Sequence, residues 1–180
     1  QTRSFIGNGV SVLVERAMVA QGVDLARHGD LHAAFRRHYD AAPAELTRLY
    51  PGVQDCVETF LDEGWALGLC TNKPEAPARA ILEHFGLAAH FGVVIGGDSL
   101  PVRKPDPAPL LAARDGLGAS RAVYVGDSEV DAETAQKAGL RFALYTEGYR
   151  RGDPDDMPHD ARFDDFDVLP AIVSRLADLI

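Results

Sequence analysis

Ala122-Val-Tyr-Val-Gly-Asp-Ser-Glu-Val-Asp131 decides the fold. A short β-branched run ends in Gly126-Asp127, and a helix opens immediately after it, with Asp131 one turn further on. This order puts two carboxylates at the carboxyl end of a strand, where open α/β sheets gather their ligands. Two hard oxygen ligands suit Mg2+, which usually takes one or two carboxylates plus waters and substrate phosphate. The same residues also read as helix punctuation, with Ser128 as the cap and Asp131 closing a capping box. Taken alone, the segment carries both readings.

Outward from it, helix and strand alternate from Tyr50-Pro51-Gly52 onward. Val53 to Glu63 reads as a helix, Ala66 to Cys70 as a buried strand, Pro77 to Phe85 as a helix and Val93 to Ile95 as a strand. Pro107 to Asp115 follows as a helix with Asp106 as its cap. Val123 to Val125, then Val130 to Ala138 closed by Gly139, repeat the unit. Phe142 to Leu144 adds a strand and Val168 to Leu179 a last helix. Gly148 to Asp160, rich in Gly, Pro and Asp, reads as a surface loop. Repeated βα units with apolar strands predict a Rossmann-like parallel sheet with helices on both faces. Residues 1–48 are different. Val10, Leu13, Val14 and Ala17, then Leu31, Ala34, Phe35 and His38, recur at helical spacing on either side of Gly22. That is an αα-hairpin too short to make a core alone. The expected domains are therefore a small helical lobe over 1–48 and an α/β core over 49–180.

With 180 residues, 46% apolar and 25% charged, the chain matches an ordinary globular protein. Its net charge of −9, with no Lys/Arg block, argues against nucleic acid or an anionic membrane as partner. A negative protein binds a phosphate ester only through a local device such as Mg2+, a lysine or a helix N-terminus. No apolar run approaches the ~20 residues of a membrane span, and no secretory signal is recognisable. Cys56 and Cys70 lack metal-type spacing, so buried free thiols and a cytoplasmic location are expected. His28 and His32 form an i,i+4 pair with no third ligand nearby, which favours an exposed helix face over a metal site.

Three predicted strand ends share one crevice in such a sheet. Thr71-Asn72-Lys73-Pro74 follows the first strand, Lys104-Pro105 lies in the loop after the second, and Gly126-Asp127 ends the third. Thr71 offers a hydroxyl, and Asn72 with the following backbone amides can hold phosphate oxygens. Lys104 offers a fixed positive charge to a phosphoryl group and a neighbouring carboxylate. Each signal is weak alone. Order, spacing and placement agree.

On these residues the chain resembles a known family. Thr71, Lys104 and Asp127 with Asp131 resemble motifs two, three and four of the haloacid dehalogenase-like superfamily. Ile6-Gly7-Asn8-Gly9, Thr71-Asn72-Lys73-Pro74, Gly96-Gly97-Asp98 and Lys104-Pro105 resemble the phosphoglycolate phosphatase family within it. Val12-Leu-Val-Glu-Arg16 and Thr146-Glu-Gly-Tyr149 do so too. The resemblance implies a Rossmann-like core with a helical cap, and Mg2+-dependent hydrolysis of a small phosphate ester through an aspartyl-phosphate. It implies Lys104 and Thr71 as catalytic residues and Asp127 and Asp131 as the metal pair, Asp131 orienting a metal-bound water or a neighbour. Substrate binding falls to Thr71, Asn72, Lys73 and the Gly7-Asn8-Gly9 loop, with Arg3 and Arg16 as candidate carboxylate partners. Val130 departs from the Asn often found there.

The family's chemistry begins with Asp-x-Asp-x-Thr after the first strand, one carboxylate attacking phosphorus and the other working as acid and base. The Asp-x-Asp spacings here, Asp153-Pro-Asp155 and Asp165-Phe-Asp167, lie beyond motif four and follow no apolar strand. The expectation is a chain without the first βα unit, roughly 30 residues, whose nucleophile lies upstream of Gln1. Its loss should expose strand edges. A second expectation is an inactive fragment or pseudo-phosphatase that binds a phosphate ligand or a protein partner. The oligomeric state is not legible.

Overall fold

The structure, a computed structural model, describes Phe5, residues 9–150 and residues 152–179. Among these, β1 (Leu67–Cys70) pairs in parallel with β2 (Phe91–Ile95). Likewise β3 (Val123–Gly126) pairs with β4 (Arg141–Tyr145), and β4 with β5 (Ala161–Phe163), all in parallel. Parallel neighbours need crossovers, and helices supply them. α3 (Val53–Asp62) precedes β1, α4 (Glu75–His84) links β1 to β2, α5 (Ala108–Gly116) leads to β3, α6 (Glu129–Ala138) links β3 to β4, and α7 (Leu169–Ala177) follows β5.

The helices cover both faces because strand side chains alternate. On β4, Phe142 and Leu144 join Leu110 and Ala113 of α5 and Ala132 and Ala135 of α6 in one buried cluster. Ala143 and Tyr145 turn the other way, onto Cys56 and Phe60 of α3 and Val173 and Leu176 of α7. Ala78 and Leu82 of α4 pack with Val57 and Val94 in a third cluster. Burial of large side chains such as Leu144 and Leu176 contributes roughly 1.5–3 kcal/mol each. Both cysteines are buried free thiols, as expected.

Before this α/β body, α1 (Val10–Ala20) and α2 (His28–Ala41) pack as a hairpin. Asp24 opens the short turn into α2 by accepting from the Ala26 amide at 2.9 Å. The His28 and His32 rings stack at 5.8 Å, and His28 Nε2 lies 3.0 Å from the Ser11 carbonyl. Both rings are half-buried rather than exposed.

Two further findings depart from the sequence reading. β5 is a strand that the reading passed over, because three residues after a Gly/Pro/Asp-rich loop give no periodicity to detect. The second concerns the sheet. The expected parallel pairing holds, but the ladders form two sheets, β1-β2 and β3-β4-β5, with no ladder joining β1 to β3 among the described residues. The two sheets are joined instead through side chains: Leu67 of β1 and Val123 and Val125 of β3 pack against the same buried cluster, and Cys70 shares another with Tyr124.

Candidate functional site

The carboxyl ends of β1 and β3 meet at Lys104. Its ammonium donates to the Cys70 carbonyl at 3.0 Å, the Tyr124 hydroxyl at 2.8 Å and Asp131 Oδ1 at 2.7 Å. Cys70 ends β1 and Tyr124 lies in β3, so one lysine ties the two sheets together at the crevice. Only 10% of the Lys104 side chain and 7% of Asp131 is exposed, which makes this a buried ion pair. Such a pair needs further hydrogen bonds to offset desolvation. Tyr124 supplies one, its hydroxyl donating to Asp131 Oδ1 at 2.7 Å.

Asp131 uses both oxygens. Oδ2 accepts from Ser128 Oγ at 2.6 Å and from the Ser128 and Asp127 amides at 3.2 Å. Ser128 and Asp131 thus form the capping box read from the sequence, and the same carboxylate is half of the pair with Lys104. The two sequence readings describe one device. Burial works against the charged form of Asp131, but the Lys104 charge and its hydrogen bonds, with those of Ser128 and Tyr124, hold its carboxyl below the usual range.

Asp127 is the opposite case. Burial pushes its pKa up to about 6, with the Asp131 charge adding, against the Tyr149 amide and Lys104. Gly126 lets the two carboxylates come together, since a Cβ there would sit 2.5 Å from the Asp131 Cβ. A hard carboxylate at a strand end, Asp127, backed by the ion-paired Asp131, matches the donor chemistry of Mg2+. Among the described residues no three His, Cys, Asp or Glu side chains converge. Mg2+ does not require three, because it keeps waters and substrate oxygens. The residues present fit the ion.

The Thr71–Lys73 turn lies beside this pair. Thr71 Oγ1 accepts from the Lys73 amide at 3.1 Å, and Asn72 Nδ2 donates to the Lys104 carbonyl at 2.9 Å. Gly97 makes room, for a Cβ there would stand 2.3 Å from the Asn72 carbonyl oxygen. Asp98 Oδ1 accepts from the Glu75 amide at 2.7 Å, so the Gly96-Gly97-Asp98 segment buttresses the start of α4. Lys73 turns toward the helical hairpin: its ammonium donates to the Tyr39 hydroxyl of α2 and lies 4.7 Å from the Tyr39 ring centre. Gly9 stands against the Lys104 loop, where a Cβ would meet an Arg103 guanidinium nitrogen at 2.7 Å. Gly7, Asn8 and Arg3 lie outside the described residues. Arg16 donates to the Phe5 carbonyl at 3.2 Å.

Sequence reasoning missed Tyr124 and Tyr39, and it singled out Thr146-Glu-Gly-Tyr149 only by resemblance, with no role at the site. Tyr124 could have been suspected as a hydroxyl-bearing residue two positions before the strand's end. Tyr39 carried no signal, because its contact crosses 34 residues.

Parallel strands, helices on both faces and polar groups gathered at the strand ends define an α/β protein with its site at the carboxyl ends of the strands. The family model of haloacid dehalogenase-like hydrolases matches residues 1–145. A phosphoglycolate phosphatase of Cereibacter sphaeroides is 52% identical over 174 residues, 96% of this chain and 80% of the relative. That of Rhodobacter capsulatus is 44% identical over 179 residues, with the same coverage of 96% and 80%. The crystal structure of a predicted phosphoglycolate phosphatase from Haemophilus somnus superposes with a TM-score of 0.87 at 32% identity, over 95% of this chain and 80% of that one. CbbY from Rhodobacter sphaeroides, solved in complex with phosphate, gives 0.77 at 25% identity, over 93% and 79%. The chain belongs to the haloacid dehalogenase-like hydrolases, in the phosphoglycolate phosphatase family. Among the described residues no helix is long and apolar enough to cross a membrane.

Proposed function

We propose that the protein hydrolyses small phosphomonoesters, 2-phosphoglycolate first among them, and that residues upstream of Gln1 supply the nucleophilic aspartate. The carrying observation is the convergence of Lys104, Asp127 and Asp131 with the Thr71–Lys73 turn at the carboxyl ends of β1 and β3. The names of the relatives that cover most of this chain support the choice of ester. That no ladder joins β1 to β3 among the described residues supports a further strand between them.

In this reading Thr71 and Asn72 hold the transferring phosphoryl group, with Lys73 at the mouth of the site. Lys104 balances the phosphoryl charge and keeps Asp131 ionised. Asp127 binds Mg2+ directly, and Asp131, its oxygens held by protein donors, sets the positions of Lys104 and of the Asp127 backbone. When bound, the ion supplies charge stabilisation to the phosphoryl oxygens. The upstream carboxylate attacks phosphorus, the ester oxygen leaves with a proton from the motif's second carboxylate, and water, giving a proton back to that carboxylate, then cleaves the aspartyl-phosphate and releases phosphate. The α1–α2 hairpin serves as the cap that shields this chemistry from bulk water, and its Tyr39–Lys73 contact ties it to the phosphate turn.

Phosphate release from a panel of esters, measured with Mg2+ and with EDTA, tests the proposal on residues 1–180 and on a chain carrying the upstream segment. The longer chain is expected to release phosphate from 2-phosphoglycolate only with Mg2+, and residues 1–180 to release none. Undiminished turnover by Asp127→Asn in the longer chain would overturn it.

A further inference from the structure

We propose that the β4–β5 connection at residues 146–150, with Gly152 beyond it, is a strap that aims the Asp127 carboxylate at its cation, with Gly148 and the Tyr149 amide as its positioning groups. The inference rests on the cation site of the proposed function and assigns a role to a segment the sequence reads as a surface loop.

The strap is anchored at both ends. Thr146 donates its amide to the Phe163 carbonyl of β5 at 2.8 Å, and its hydroxyl adds a 3.2 Å bond to the same oxygen. Six residues on, the Gly152 amide donates to Glu129 Oε1 at 2.6 Å, in the first turn of α6. Between the anchors the backbone presses on Asp127. A Cβ on Gly148 would lie 2.2 Å from both Cβ and Oδ2 of Asp127, and 2.6 Å from its Cγ. Tyr149 then donates its amide to Asp127 Oδ2 at 2.6 Å. That is a charge-assisted bond from a backbone group 22 residues away.

Chain connectivity does not require this contact. The β4–β5 crossover could arch clear of α6, and a side chain at position 148 would force it to. Glycine instead lets the main chain close on one flank of the carboxylate. The Tyr149 amide fixes Oδ2, so the torsions of Asp127 are set before a cation arrives, and preorganised ligands bind more tightly.

Mn2+ binding, followed by electron paramagnetic resonance and by the Mn2+-induced rise in thermal midpoint, tests the strap. Gly148→Ala is expected to weaken Mn2+ binding at least tenfold with the far-ultraviolet circular dichroism unchanged. Tyr149→Pro, which removes the donor and leaves Gly148 in place, is expected to weaken it as well. Gly29→Ala on α2, where a Cβ meets nothing within 4 Å, should bind as the unsubstituted protein does. In the unsubstituted protein, Mg2+ should also shift the Tyr149 amide resonance, a readout that needs no variant to fold. Equal Mn2+ affinity in Gly148→Ala, or an unmoved Tyr149 resonance on Mg2+ binding, would overturn the strap alone. No Mn2+ binding by the unsubstituted protein would overturn the strap and the cation site together.

Discussion

Lys104 does two jobs with one ammonium, and removing it separates them. Lys104→Met keeps the length and apolar stem but leaves Asp131 as a buried, unpaired charge, which costs about 3–5 kcal/mol when one partner of a buried pair is lost. Urea denaturation at pH 7 should show a loss of that order, with catalysis in the longer chain falling by about 10²–10³-fold or more. Double replacement, Lys104→Met with Asp131→Leu, should recover much of the stability and none of the catalysis. Recovery of both would show that the pair only holds the fold. Asp127 carries a pH signature of the opposite sign to Asp131. Its pKa of about 6 lies above the ordinary 3.8. Between those values the native protein holds the proton more tightly than the unfolded chain, so Asp127's contribution to stability declines as pH rises through this window. Asp131, held low, adds stability above its ordinary value and loses it as pH falls through its folded pKa. In metal-free protein Asp127→Asn should therefore be more stable than the parent by about 1–3 kcal/mol at pH 7.5, allowing for partial solvent screening. The advantage should vanish near pH 4. Denaturation at the two pH values checks it, and an advantage independent of pH would mean that the carboxylate is not desolvated.

Helix α6 shows how much of an element is local. Ser128, Asp131 and Gly139 announce its start and stop within a dozen residues, and the structure has the capping box at one end and Gly139 in the left-handed conformation (φ 66°) at the other. The sequence brings Lys104 to a neighbouring carboxylate but does not convey that its partner is Asp131 Oδ1, 27 residues on, because that contact exists only once two sheets have assembled. Ser128→Ala exposes both levels. It removes the cap, worth about 1 kcal/mol, and also the 2.6 Å hydroxyl donor to Asp131 Oδ2. A total near 2 kcal/mol is expected, with weaker Mg2+ binding in titration calorimetry. A loss of stability with unchanged Mg2+ affinity would confine Ser128 to capping. The same division explains the other misses. β5 is three residues long and finds its place only by pairing with β4. The Thr146–Tyr149 segment drew notice only by resemblance, and its contact with Asp127 is set by the packing of β4 and α6.

The whole molecule has one structural asymmetry, and hydrogen exchange should display it. β4 is flanked by β3 and β5, and Ala143 and Leu144 are 0% exposed. Among the described residues β1 has β2 on one side only. Thr71 donates its amide to Ile95 of β2, so by the alternation of a strand Cys70 and Gly68 present their backbone groups to the opposite side. The Cys70 carbonyl is met there by Lys104 rather than by a ladder partner. Exposed, unpaired edges open at low free energy, while a doubly flanked strand exchanges near the global limit. In residues 1–180 the amides of Gly68 and Cys70 should therefore exchange at least tenfold faster than that of Leu69, and β4 should be the slowest of the strands. If an upstream strand enters between the sheets, as the proposed function requires, the longer chain should protect Gly68 and Cys70 while leaving β4 nearly unchanged. Protection of these two amides already in residues 1–180, unaltered in the longer chain, would mean that β1 needs no further partner. The nucleophile would then have to reach Lys104 and Asp127 by some route other than a strand between β1 and β3.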